Sequence, residues 1–265
     1  MKNAVVYSFH FESGDPNFSS HYGQMRYSIY TLRQHNKSIP IKVFISPVDA
    51  YNKMSIDLYD AEIIPFDATT NTLLDNEEMS TRRKHRWPNL FSVLESGYDN
   101  VLYVDPDTFW QGDVQLIFDK YSNGDVVYSK EDHWEEFSDF LPLTTPTMNE
   151  GIMMISRNAL SYKDELLKRV EDIMLDWQEM LRPTLEKNEH LWNAGVQWAA
   201  CQYALSEFLS SIDKPFVEFD KMDVAIIHEY RELSDEDRGQ VIGTHYLSQN
   251  YADFVPKEYL EYVRS

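Results

Sequence analysis

Only one cysteine, Cys201, occurs among 265 residues, so no intramolecular disulfide can form. That scarcity suits a reducing compartment. Basic residues are also short: 24 Lys and Arg stand against 44 Asp and Glu, a formal net charge of −20. A surface this acidic repels phosphate backbones and anionic bilayers, which argues against nucleic-acid binding and electrostatic membrane attachment. No window approaches the ~18 consecutive apolar residues that a spanning helix requires. The opening MKNAVVYSFHF has an apolar part too short and too polar for a signal segment. The expectation is a cytoplasmic protein with no transmembrane segment. There is no internal repeat, no low-complexity tract and no Gly-, Pro- or Ser-rich linker, so one domain over 1–265 is the simplest organisation. An acidic protein that binds an anionic nucleotide must supply local positive charge, either a basic cluster or a metal.

What is present supports a packed α/β domain. Hydrophobic residues make up 43% and aromatics 14%, enough for a sizeable core. Short β-branched and aromatic runs at 4–9, 41–45, 61–65, 101–104, 125–128 and 151–155 read as strands, with later ones at 224–227 and 241–242. Apolar residues spaced by three and four predict helices over 22–35, 82–96, 164–181 and 192–209, with Pro88 marking a start or a kink inside the second. Strands alternate with helices through the first half, which predicts a mostly parallel central sheet flanked by helices on both faces.

Two Asp-x-Asp tripeptides occur, at Asp105–Asp107 and Asp235–Asp237. The second lies in a charged run with no strand before it and reads as a solvated face or a helix start after Ser234. The first closes the apolar run VLYV, at the carboxyl end of a buried strand, where open α/β sheets bind ligands. Two carboxylates at i, i+2 fall on one side of an extended segment, and Pro106 stiffens the turn between them. Their mutual repulsion is relieved by a hard divalent cation, which favours carboxylate oxygen. A plain strand-terminating turn is the competing reading, because Asp and Pro both favour turns.

The stretch WPNLFSVLESGYDNVLYVDPDTFWQGDVQLIFD resembles the centre of GT-A sugar-nucleotide transferases, especially glycogenin-like enzymes of family 8. The order of basic residue, helix, aliphatic strand, D-x-D-T, then Asp113 and a short helix ending at Leu116, Phe118 and Asp119 keeps the family's phase. Weaker similarities run from Tyr22 to Ile45, at Met148–Met153, at Lys214–Phe216 and at Thr244–Tyr246. The resemblance implies a single GT-A (Rossmann-like) domain with a nucleotide-binding half over about 1–107 and an acceptor-side half over about 108–265. It implies metal-dependent sugar transfer from a nucleotide-diphosphate sugar, a UDP-sugar by preference, to a glycan, protein or small-molecule acceptor, with retention.

By the same resemblance, Asp105, Asp107 and His245 bind Mn²⁺ or Mg²⁺, with His228 as the rival third ligand. Ser8, His10, Tyr22, Arg83, Lys84, Asp105 and Pro106 border the donor. Asn149, Glu150 and Gln197 lie near the transferred sugar, Glu150 standing where the family carries a small residue. Two parts of the family pattern are absent: the D-Q pair, of which only Gln197 remains, and the K-P-W after the last histidine, for which Arg231 is a candidate substitute. Two other functions stay open on these residues. One is a haloacid-dehalogenase-like phosphatase, although its D-x-D-x-T block has Phe109 at the Thr position. The other is a sugar-nucleotide or glycan-binding protein without turnover.

Overall fold

The computed structural model describes residues 1–10, 18–46, 59–66, 85–131, 147–172, 176, 196–212 and 216–245. Arg83, Lys84, Trp134, Trp177, Trp192, residues 193–195, Lys214, Pro215 and Tyr246 lie outside them, as do the side chains of His10, Gln197, Trp198 and Cys201.

Seven strands form the main sheet: β1 (Asn3–His10), β2 (Ile41–Ser46), β3 (Glu62–Pro65), β4 (Asn100–Val104), β6 (Val126–Glu131), β7 (Thr147–Ser156) and β8 (Phe216–Glu218), in the order β3-β2-β1-β4-β7-β6-β8. β1, β2, β3 and β4 run parallel, whereas β7 lies antiparallel to both β4 and β6. A second, smaller sheet joins β5 (Thr108–Trp110), β10 (Gly243–His245) and β9 (Val224–Ile226), in that order.

The period-two pattern of β1 explains why both faces of the main sheet are covered. Ala4 and Val6 enter one apolar cluster with Trp87, Leu90, Phe91 and Leu205. Val5, Tyr7 and Phe9 enter the opposite cluster with Met25, Ile29, Leu32 and Phe118. Helix α1 (Phe18–His35) supplies Met25, Ile29 and Leu32, three of the residues that the sequence spacing assigns to one face. It starts four residues before the expected residue 22, at Phe18. Helix α2 (Arg86–Glu95) begins at Arg86. Pro88 therefore falls in its first turn, where the missing N–H has no intrahelical partner to lose. The helix ends at Ser96, and Gly97 follows with φ 104°, the left-handed conformation that glycine adopts without a Cβ penalty. Helix α3 (Gln115–Tyr121) packs Ile117 and Phe118 beneath β1 and β4, and helix α4 (Val196–Ser211) lies on β7, where Ser206 Oγ accepts from Met148 N–H.

Two expectations shift in register. The strand expected at 241–242 is found at Gly243–His245, and the one at 151–155 extends back to Thr147. β5 and β8 were not expected at all: each has three residues, too few to show a period. Ser234 caps a four-residue helix, α6 (Asp235–Arg238), by accepting from Asp237 N–H, as the sequence predicts for the second Asp-x-Asp. It follows the short helix α5 (Ile227–Glu232). No helix among the described residues is long and apolar enough to cross a membrane.

Candidate metal centre

β4 has every residue buried and delivers Asp105 at its carboxyl end. The ladder to β7 continues one step further, since Asp105 N–H donates to Gly151 C=O at 2.6 Å. A turn follows, closed by Thr108 N–H donating to Asp105 C=O at 3.2 Å, and it carries Pro106 and Asp107 into β5. β5 pairs antiparallel with β10 in a register that sets His245 opposite Thr108. That pairing brings a histidine far along the chain beside the Asp-x-Asp turn. His245 Nε2 lies 3.2 Å from Asp107 Oδ1 and 3.7 Å from Asp105 Oδ2. One ligand atom from each of the three residues lies within 4.8 Å of the others.

Gly151 makes room for the imidazole. A Cβ added there would stand 1.9 Å from His245 Cε1, closer than any packed contact allows. His245 is only 4% exposed, while the two aspartates are half-buried.

Behind the aspartates lies a set of contacts that sequence reasoning missed. Arg86, at the first position of α2, is buried and donates from Nη2 to Asp105 Oδ1 at 3.0 Å. Its Nη1 donates to Glu150 Oε2 at 2.9 Å and to the Glu150 carbonyl at 3.1 Å. The guanidinium stacks 4.3 Å from the centroid of the Tyr103 ring, and the Tyr103 hydroxyl donates to Asp105 Oδ1 at 2.5 Å. Asp105 thus has one oxygen held by two donors and the other turned towards His245. Among the described residues, three carboxylates, Asp105, Asp107 and Glu150, gather around one guanidinium and one imidazole, which is neutral when it ligates a metal. The excess of two negative charges matches a divalent cation. Two carboxylate oxygens and one imidazole nitrogen also form a donor set that Mn²⁺ and Mg²⁺ accept. The residues present fit such an ion.

The other expected residues are distributed as follows. His228 sits in α5, just beyond β9, and is not among the three clustered ligands. Ser8 lies on β1 two residues past the Val6–Tyr103 pair, level with Asp105, and its Oγ accepts from Asn89 Nδ2 at 3.2 Å. Tyr22 is half-buried on α1 against the core, with Arg26 5.7 Å from its ring, and burial raises its hydroxyl pKa. Asn149 is fully buried, and its Oδ1 accepts from Gly151 N–H at 2.7 Å. Both Glu150 oxygens are engaged, Oε2 by Arg86 and Oε1 by Trp87 Nε1 at 3.4 Å. Pro106 lies in the turn itself. Arg231 is exposed on α5. Gln197 stands in the first turn of α4.

No family model matches the chain, and no curated protein matches its sequence. Solved structures do. The galactosyltransferase LgtC, determined with donor and acceptor sugar analogs, superposes with a TM-score of 0.58 at 12% identity, covering 98% of this chain and 95% of that one. Mouse xyloside xylosyltransferase 1 gives 0.55 at 10% identity over 96% and 100% of the two chains. The glycosyltransferase GlyE of Streptococcus pneumoniae gives 0.54 at 16% identity over all of this chain and 61% of that one. At these identities the likeness shows the fold: this chain has the GT-A architecture over nearly its whole length.

Proposed function

We propose that this chain is a metal-dependent glycosyltransferase that moves a sugar from a nucleotide-diphosphate sugar, a UDP-sugar by preference, to a glycan, protein or small-molecule acceptor, with retention. The observation that carries the reading is the convergence of Asp105, Asp107 and His245 at the carboxyl end of β4 in a GT-A fold. Asp105, Asp107 and His245 would hold Mn²⁺ or Mg²⁺, whose charge would stabilise the negative charge that develops on the departing nucleoside diphosphate. On this reading, residues of about 1–107 form the nucleotide side, with Ser8, His10, Tyr22, Arg83 and Lys84 around the donor. Residues of about 108–265 form the acceptor side, with Asn149 and Gln197 near the sugar.

The chain's own contribution is preorganisation. Asp105 is oriented before any ligand arrives, because Arg86 and Tyr103 both hold its Oδ1. Incubation with UDP-sugars and Mn²⁺, followed by assay of released UDP, tests the reading. Metal-dependent release supports transfer. Tight binding without release would make the protein a sugar-nucleotide binder, and release of inorganic phosphate from monoesters would favour the phosphatase.

A further inference from the structure

Glu150 is the most deeply buried acidic group beside the site among the described residues, 1% exposed, and both of its oxygens are engaged. Its place in the backbone is unusual. Along the β6–β7 ladder Tyr128 pairs with Met153, but the next residue, Ser129, pairs with Asn149, so residues 150–152 of β7 have no partner on β6. Such an irregularity re-aims a side chain at the point where it occurs. Here it falls at Glu150, whose carboxylate reaches the N-terminal end of α2 and grips Arg86 and Trp87.

We infer that Glu150 is a positioning residue that acts on Asp105 through Arg86; the inference rests on the metal reading above. Arg86 is planar, and its two terminal nitrogens point to different carboxylates. With Nη1 held by the side chain and carbonyl of Glu150, Nη2 meets Oδ1 of Asp105, and Oδ2 stays turned towards His245. Without the Glu150 carboxylate, the guanidinium loses a buried counter-charge and is drawn further onto Asp105. It would then cover the oxygen that the cation needs. Glu150 therefore keeps a buried arginine from competing with the metal.

The test is a double-mutant cycle on Mn²⁺ affinity, read from the free-ion electron paramagnetic resonance signal, with thermal melts to confirm folding. Glu150→Gln keeps the shape and removes the charge. It is expected to weaken Mn²⁺ binding by about tenfold or more, the scale of supporting residues around metal ligands. In an Arg86→Met background the same change should have little further effect, because the link it acts through is gone. Arg86→Lys, which keeps the charge but loses the fork, should weaken binding in the same way and covers the case in which Glu150→Gln does not fold. Unchanged affinity in Glu150→Gln, or an equal loss in both backgrounds, would overturn the inference while leaving the metal reading intact. Absence of Mn²⁺ binding by the unaltered protein would overturn the metal reading and this inference with it.

Discussion

The chain contains the same acidic spacing twice, at Asp105–Asp107 and Asp235–Asp237, and the two copies have opposite surroundings. Asp105 is held by a buried arginine and a tyrosine hydroxyl; the turn after β4 carries Asp107 beside it, and the pairing of β5 with β10 brings His245. The Asp235 side chain is 98% exposed and meets Arg238 one turn along its own short helix. An exposed pair of this kind contributes little and is screened by salt. The difference lies outside the i, i+2 spacing: at the first pair a strand register brings a third possible ligand from a distant part of the chain, and buried donors fix the orientation of Asp105.

Substitutions can break or sharpen this contrast. The largest effect is expected from Asp107→Ala, which should abolish Mn²⁺-dependent nucleotide binding and leave the melting temperature nearly unchanged, since Asp107 has no packing role. Asp235→Ala or Asp237→Ala should leave binding intact, and calorimetry on the three variants compares them directly.

Gly151→Ala comes next. Its methyl group must displace the His245 ring, so metal affinity should fall sharply and stability by about 1–3 kcal/mol, the usual cost of overpacking, as a denaturant titration would show. His245→Ala and His228→Ala should then separate: the first loses metal affinity, the second retains it. Equal mild losses would mean that neither histidine is a ligand. The smallest effect belongs to Ser234→Ala, which removes the cap on α6. It should lower stability by about 1 kcal/mol at most and leave nucleotide binding unaltered.

Much of the framework around Asp105 was legible in the sequence. The four-residue apolar run closed by Asp105, the β-branched and aromatic run of β1 and the three-and-four spacing in α1 are each long enough to read. The acidic pair announced its importance by its position after a strand. What stayed hidden depends on contacts between distant residues. β5 and β10 have three residues each, so nothing local predicts that they pair, and it is their pairing that selects His245 over His228. Arg86 was visible only as one of four basic residues at 82–86. The available signal was Pro88: it fixes the first turn of α2, and hence puts Arg86 at the helix start that abuts the carboxyl ends of the strands. Glu150 stood out as a large acid in a place where the resembled family is small. Its grip on Arg86 goes with the irregular β6–β7 register, in which residues 150–152 of β7 have no partner on β6, and no sequence period reveals that.

The central claim is that Asp105, Asp107 and His245 form a metal-dependent nucleotide site. Calorimetric titration of UDP and GDP into the protein, each with and without Mn²⁺, tests it most directly. The account predicts binding of UDP that requires the metal and disappears in Asp107→Ala. Binding that is indifferent to Mn²⁺, or no binding of either nucleotide, would contradict it.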